Sequence, residues 1–177
     1  MAVSAIALFS RALLKLGARP IASFDEGTAE AEVAANLYPS VRDALLSAHA
    51  WSFATAQLRL PRLEAPPVAD FGEAYQLPAD FLRAISAGTA SRGRGLRYRI
   101  IDQRLHTSSN EVFLTYVFRP AETDFPPFFD QLLMARMAAE FCIPTTESTS
   151  RAEMLYRVAE AEFRRARLID AQQDTPT

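Results

Sequence analysis

Two histidines and a single cysteine are the side chains of this sequence best suited to metal binding or covalent catalysis. Neither His49 nor His106 has Cys, Asp or Glu at the spacing of a metal site, so structural or surface roles are predicted for both. Cys142 lies in an apolar segment, whereas a reactive thiolate needs an electropositive, partly open site. A buried structural thiol is therefore predicted, and one cysteine alone excludes an intrachain disulfide.

The remaining polar motifs also lack the pattern of an active site. Gly93 and Gly95 are followed by neither a third glycine nor a helix start, so no nucleotide-binding loop is predicted. Asp102, Asp124 and Asp130 are isolated acids without a convergent base or nucleophile. We therefore predict no enzymatic activity, no catalytic or metal-binding residue and no cofactor.

A cluster of arginines around the same glycines admits two interpretations. It could contact a phosphate backbone or an acidic partner, or it could belong to a solvated hairpin. The formal net charge of the whole chain is only −2, which argues against an avid nucleic-acid-binding protein. The arginines concerned are Arg92, Arg94, Arg97, Arg99 and Arg104.

The 177 residues suit one compact domain, or a domain with a sizeable insertion. Hydrophobic residues make up 49% of the chain, enough to build a core at this length. No stretch approaches the roughly 18 apolar residues of a membrane span. The first residues lack the basic start of a signal peptide, and Arg11 and Lys15 interrupt any apolar run. A protein made in the cytoplasm is expected, with no membrane partner.

Helical periodicity predicts two helices before residue 51. Ser4 is suited to cap the first, which Gly17 should end. The second should begin at Thr28 and finish near His49. Pro39 lies inside it, and because proline removes a backbone donor and clashes with the preceding turn, a kink or a brief break is expected there.

Two further helices are predicted after residue 125. Pro126 and Pro127 open the third, and Pro144 should stop it. Ser150 with Glu153 forms a capping-box pattern for the fourth. The inner face of this last helix is predicted to consist of Leu155, Val158, Ala159, Glu162, Phe163 and Ala166.

Between the two helical stretches the side-chain period changes to the alternation of strands. Residues 54–60 and 112–118 are the longer candidates, and 81–86 and 96–101 are shorter ones. Prolines and glycines interrupt the region at the expected turns. These strands must therefore be inserted between helices that belong together.

The predicted fold class is α+β, with a bundle of about four helices interrupted by a β-rich insertion. Residues 1–50 and 125–170 are assigned to the bundle, and residues 51–124 to the insertion. Residues 171–177 are polar and are predicted to form a flexible C-terminal tail.

A distinctive motif lies within the β-rich region at residues 75–83. Its Pro78 pre-sets the backbone, and Asp80 can accept hydrogen bonds from the following amides, so a fixed turn is predicted. The turn should direct the next two residues into the core, and the arginine after them is expected to pair with an acid. Together with two aromatic core anchors at the switch from helix to strand, the fold-signature residues are Trp51, Phe53, Tyr75, Leu77, Pro78, Asp80, Phe81 and Arg83.

Three sections of the chain carry a family resemblance in their order and spacing. They are residues 12–24 continued through the second helix to 51–54, the motif at 75–83, and the segment from 118 through the third helix to 166–172. Over residues 5–172 the chain resembles tail tubular protein A of short-tailed phages, the upper tail adaptor. More distantly it is similar to the head–tail adaptors of long-tailed phages.

The resemblance implies a structural role in a phage particle. Adaptors of this family form a ring of twelve copies between the portal protein and the tail nozzle or next tail protein. The helical bundle meets the portal, the β-rich part points toward the nozzle, and genomic DNA passes through the lumen without sequence-specific binding. The expected location is the neck of the virion, after assembly in the host cytoplasm.

The polar C-terminal end and the outer face of the fourth helix are the expected contact sites of such an adaptor. The polar end is assigned to portal binding, through Arg167, Asp170, Gln172 and Gln173, because a short tail can order against a partner. Arg92 and Arg94 would form a loop that faces the tail or the DNA.

Two alternative functions remain open on the sequence alone. One is a small helical DNA-binding regulator, although acids interleave the arginines of the fourth helix and no helix-turn-helix signal precedes it. The other is an adaptor of a long-tailed phage or of a gene transfer particle. The compact β-rich region, with its short loop at 88–95, departs from the family pattern and leaves the nozzle contact open.

Overall fold

In a computed structural model, residues 4–173 are described and form four α-helices and two three-stranded antiparallel sheets. The predicted α+β class is confirmed. Three short 3-10 turns occur at Ser52–Ala54, Glu122–Asp124 and Ala171–Gln173. The main elements are α1 (Ala5–Leu16), α2 (Ala29–Ala48), β1 (Thr55–Arg59), β2 (Glu73–Gln76), β3 (Phe81–Gly88), β4 (Tyr98–Ile101), β5 (Arg104–Thr107), β6 (Phe113–Phe118), α3 (Pro127–Thr146) and α4 (Thr149–Asp170).

The described chain divides into two compact units. The helical unit contains the residues up to Phe53 and those from Pro120 onward, so both ends of the chain contribute to it. The β unit contains the continuous stretch between them, residues 54–119. One unit is thus discontinuous in sequence and the other is not.

Helix α3 is the central element of the helical unit. Ten of its side chains are buried, on nearly all sides of the helix, as expected of a helix that is apolar all round. Helices α1, α2 and α4 each pack against it. The ring of Phe9 from α1 lies 4.4 Å from that of Phe141, centroid to centroid, and Cys142 beside it is fully buried, as predicted for a structural thiol.

The first two helices begin and end where the sequence predicts. Ser4 accepts a hydrogen bond from the amide of Ala7, and Gly17 ends α1 with φ of 74°, a left-handed conformation that costs glycine little. Thr28 caps α2. The helix is continuous from Ala29 to Ala48, so Pro39 causes no break; it lies on the exposed side, where water can satisfy the carbonyl that has lost its donor.

The junction of α3 and α4 differs from the predicted one. Pro144 lies in the last turn of α3 and does not stop it, and Glu147 closes the helix with φ of 56°. The cap of α4 is Ser148, whose hydroxyl accepts a hydrogen bond from the amide of Arg151. The capping box at Ser150 and Glu153 is therefore wrong, because Ser150 already lies in the first helical turn.

Replacing this cap tests the corrected helix start. Ser148→Ala should lower the free energy of unfolding by about 1 kcal/mol, because one orphan amide of α4 loses its acceptor. Ser150→Ala is the matched control and should have almost no effect, since its side chain is exposed. Urea unfolding of both variants is the measurement, and an equal loss in the two would contradict the assignment.

The inner face of α4 is built from small residues. Ala152, Ala159 and Ala166 are buried and recur every seven residues, which turns them toward α3. Val158, assigned to this face from the sequence, is 47% exposed and lies on the outer side instead. The apolar residues of α4 therefore form two separate faces. The predicted inner face is wrong at Val158, which belongs to the outer face.

The β unit contains two sheets with the strand orders β1-β6-β3 and β2-β5-β4. Strands β2 and β5 pair along their whole length but were not predicted. Leu58 on β1 is 42% exposed although it alternates with polar residues, so the alternation in this strand does not indicate burial. The core of the unit consists of Leu60, Tyr75, Leu77, Ala87, Leu105, Val112, Leu114 and Tyr116.

Candidate interaction surfaces

Trp51 is the largest fully buried side chain of the protein. Its indole N–H donates to the carbonyl of Leu45 at 2.9 Å, and its ring forms T-shaped contacts with Phe129 and Phe163, with centroids 5.4 and 5.9 Å away. Phe53 adds a further ring contact with Phe129 at 5.0 Å. Both aromatic residues of this motif therefore belong to the core of the helical unit, where α2 ends.

A serine, a histidine and an aspartate meet beside this core, which invites comparison with a catalytic triad. Ser52 donates its hydroxyl proton directly to the carboxylate of Asp170 at 2.6 Å, and its amide donates to the same group at 3.1 Å. His49 Nε2 lies 3.6 Å from the other carboxylate oxygen. Because the aspartate is central, the imidazole does not stand between hydroxyl and carboxylate, as a general base must. The cluster fastens the end of α4 to the turn after α2.

This cluster corrects one of the predicted portal-binding residues. Asp170 is only 4% exposed and its carboxylate is engaged, so it is unavailable to a partner. Arg167 is exposed, with its guanidinium 5.8 Å above the ring of Phe163, and Gln172 and Gln173 are exposed in the last 3-10 turn. The predicted flexible tail thus begins with a turn, and its residues 174–177 lie outside the described part of the chain.

The motif at 75–83 forms a strand end and a turn in the β unit. Tyr75 and Leu77 are buried, and the amide of Phe81 closes the turn onto the carbonyl of Pro78 at 3.1 Å. Asp80 accepts a hydrogen bond from the hydroxyl of Tyr116 at 3.3 Å rather than from the amides that follow it. Burial and this carboxylate raise the pKa of Tyr116. Leu82 is half-buried, and Arg83 is exposed on β3.

The arginine cluster lies in the β3–β4 connection and the β4–β5 hairpin. Arg99 is paired with Asp70 at 2.9 Å, and Arg97 lies over the ring of Phe71 at 6.0 Å. Arg92 and Arg94 are exposed in the turn. In residues 54–119, nine arginines and six carboxylates give a formal charge of +3, which leaves −5 for the rest of the chain. The two units therefore differ in sign, although the total is close to neutral.

A glycine keeps the basic turn closed. A Cβ atom on Gly88 would overlap the backbone of Arg92 and Arg94, because the chain folds back directly onto β3 at this point. Thr89 and Arg92 exchange backbone hydrogen bonds of 2.8 and 3.1 Å across the turn. The two exposed arginines are thus presented by a tight turn rather than by a long loop.

A polar network joins α2 to the 3-10 turn that precedes α3. Glu122 accepts hydrogen bonds from the hydroxyl of Tyr38 at 3.0 Å and from Arg42 at 2.9 Å. Burial, with the neighbouring Glu122 carboxylate, raises the pKa of Tyr38. Arg42 also pairs with Asp43 at 2.9 Å.

Asp130, in the first turn of α3, carries a buried oxygen that is not satisfied. Among residues 4–173, no hydrogen-bond partner reaches its Oδ1 atom. Burial raises the pKa of this carboxyl from 3.8 to about 6, with the charge of Arg11 opposing the shift. From the sequence, Asp130 was identified only as an isolated acid, and its burial was not predicted.

An open groove runs along the helical unit between α2 and α4, with α3 as its floor. Its volume is about 390 Å³ and most of its lining is apolar. Arg136 and Glu140 in the floor pair with each other at 2.9 Å, which leaves the exposed Glu160 as the remaining charge of the lining. The residues of this α2–α4 groove are Leu37, Ser40, Val41, Ala44, Leu45, Ala48, Leu132, Arg136, Glu140, Ala159, Glu160 and Phe163.

The outward side of α4 carries a line of exposed apolar side chains. Met154, Val158 and Leu168 are 57%, 47% and 70% exposed. Exposed Ala161 and Arg165 continue the same line, since steps of three and four residues stay on one side of a helix. These five residues are called the α4 ridge. From the sequence, the outer face of α4 was expected to contact partners, although Val158 was assigned to the inner face.

No protein-family model matches the chain, and no curated protein matches it. In the described residues, no three side chains of the metal-binding types converge on one point. No helix within residues 4–173 has both the length and the apolar character needed to cross a membrane.

Proposed function

We propose that this protein is a structural head–tail adaptor of the tail tubular protein A type. Copies would form a ring between the portal and the tail nozzle of a phage particle, with the DNA channel through its centre. The observation that carries the proposal is the discontinuous helical unit, built from both ends of the chain around an inserted β unit at residues 54–119. That is the arrangement that the resemblance implies.

The use of the polar side chains also supports a structural role. Ser52, His49 and Asp170 meet in an arrangement suited to joining helices and unsuited to proton relay. The Tyr38 and Arg42 side chains are engaged in a second network of the same kind. The polar side chains best suited to chemistry in the helical unit therefore hold its helices and turns together.

The charge distribution is compatible with a DNA conduit. A strongly basic wall would hold phosphates and slow the passage of DNA. The β unit carries a moderate formal charge of +3, and Arg62 and Arg99 within it are already paired with Glu73 and Asp70. Such a surface attracts a polyanion weakly, which favours transit over retention.

Native mass spectrometry of the chain, alone and with its cognate portal ring, tests the proposal. We expect a portal complex that carries a ring of these subunits, with twelve copies implied by the resemblance. A monomer that ignores the portal would contradict the adaptor function. Strong duplex DNA binding with a steep salt dependence would instead indicate the regulator.

The portal contact can be tested with substitutions that spare the fold. Arg167→Ala, Gln172→Ala and Gln173→Ala together should weaken portal binding, because all three side chains are exposed at the end of α4. Arg92→Ala with Arg94→Ala is the matched control in the β unit and should leave portal binding unchanged. Deleting residues from 169 onward is unsuitable, since it would also remove the buried Asp170. Equal weakening by the two variants would refute the assignment.

A further inference from the structure

The α4 ridge and the α2–α4 groove lie on opposite sides of one helix. Met154 in the ridge and Phe163 in the groove are nine residues apart, which at about 100° per residue places them half a turn from each other. Both surfaces are apolar, and both belong to the helical unit. A molecule with two different apolar surfaces facing opposite ways is suited to head-to-tail association.

The dimensions of the two surfaces are similar. The groove follows residues 37–48 of α2, roughly 16 Å at 1.5 Å per residue, and the ridge follows residues 154–168, roughly 21 Å. Leu132, Arg136 and Glu140 of α3 form the floor at successive turns, so the groove is a valley between two helices. A valley of this kind receives the apolar side of a third helix, with anchors at steps of three and four residues.

The charges around the two surfaces are complementary. Arg157, Arg164 and Arg165 lie on or beside the ridge, and Glu153 and Glu162 are the acids beside it, so that the arginines outnumber the acids by one. In the groove, Arg136 and Glu140 neutralise each other, so the uncompensated charge of the lining is the negative charge of the exposed Glu160. An arginine beside the ridge of one molecule can therefore meet Glu160 of another at the rim of the contact.

We propose that the α4 ridge of one copy docks into the α2–α4 groove of a second copy, so that copies of this chain associate head to tail. Val158 and Met154 enter the valley between α2 and α4, and the arginines of the ridge lie toward Glu160. Each copy keeps one free ridge and one free groove, so the association continues until rotation closes a ring. The inference rests on the proposed function, because a ring adaptor requires such a contact.

Disulfide trapping tests the pairing of these surfaces. A chain carrying both Val158→Cys and Ala44→Cys should form a ladder of cross-linked oligomers under mild oxidation, alone or on the portal ring. The native Cys142 is fully buried and can remain. Ala35→Cys is the matched control for Ala44→Cys, because the two exposed alanines are nine residues apart on α2 and face opposite ways.

The controls distinguish the possible results. No ladder in either condition, or an equal ladder with Ala35→Cys, would overturn the proposed contact. A dimer formed by Val158→Cys alone would also overturn it, because it would show ridge meeting ridge. A portal-bound ring without the ladder would refute this contact but support the adaptor function. A ladder without portal binding would support the contact but contradict the adaptor function.

A second substitution tests the groove without oxidation. Ala44→Arg would fill the groove and repel the arginines of the ridge, and it should abolish assembly in native mass spectrometry. Ala35→Arg places the same side chain outside the groove and should assemble as the unchanged protein does. Both positions are exposed, so the helical content measured by circular dichroism should stay the same in both. Assembly of the Ala44→Arg variant would count against the proposal.

Discussion

Replacing Trp51 by alanine is expected to lower the free energy of unfolding by about 3–5 kcal/mol, the range found when large aromatic residues are removed from cores. The ring is fully buried, and aromatic side chains of α3 and α4 surround it. Those rings are carried by two helices that pack against each other, so they cannot easily collapse into the cavity. Urea unfolding followed by circular dichroism measures the loss.

Trp51→Phe is the control for this prediction. It keeps an aromatic ring in the core but removes the indole N–H that donates to the carbonyl of Leu45. We expect a smaller loss, about 1–3 kcal/mol, from the lost hydrogen bond and the reduced volume. If the alanine variant lost no more than the phenylalanine variant, the ring would not be the anchor of this core.

Asp130→Asn is expected to stabilise the protein above pH 6 and to leave its stability nearly unchanged near pH 4. Burial raises the pKa of the carboxyl from 3.8 to about 6, so the folded state holds a proton that the unfolded state has released. Folding stability therefore falls as pH rises from 3.8 to 6 and stays lower above that range. The asparagine side chain carries no charge, so the Asp130→Asn variant does not lose stability by burying a carboxylate at neutral pH.

The size of the effect follows from the shift. About two pH units correspond to about 3 kcal/mol, and solvent screening of this half-buried carboxyl reduces the effect to about 2 kcal/mol. Thermal or urea unfolding from pH 4 to pH 8 measures the difference between Asp130→Asn and the unchanged protein. Asp124→Asn is the control, because that side chain is exposed in the preceding turn and should give no such trend. A constant difference across the pH range would exclude burial of the carboxyl as the cause.

Local chemistry explains which elements could be predicted from the sequence. Ser4 and Thr28 cap their helices with their own side chains, so the signal lies within three residues of the feature. Pro144 was a misleading stop signal, because α3 continues past it for two residues, to Thr146. The choice between Ser148 and Ser150 depended on where α3 stops.

The features that escaped prediction depend on contacts between distant residues. Strands β2 and β5 have four residues each, too few for their alternation to be recognised before they pair. Asp170 lies in the polar end of the chain and was therefore predicted to bind a partner. Its burial is explained by the approach of Ser52, which is distant in sequence. The outward turn of Val158 likewise depends on which side of α4 meets α3. The outer face of α4 was expected from the sequence to contact partners, but the α2–α4 groove was not, because it forms only when the three helices pack together.

The hydrogen bond between Ser52 and Asp170 joins residues that are 118 positions apart, and this separation has a consequence for biosynthesis. The ribosome completes residues 54–119 well before it delivers α4, so the β unit can fold while the first two helices still lack their partners. Domains generally fold as units during synthesis, and a contact over so long a separation forms late. Until α3 and α4 are synthesised, the apolar side chains of Leu8, Phe9 and Trp51 stay exposed to solvent. The nascent chain is thus most open to aggregation or to chaperone binding just before α3 and α4 emerge.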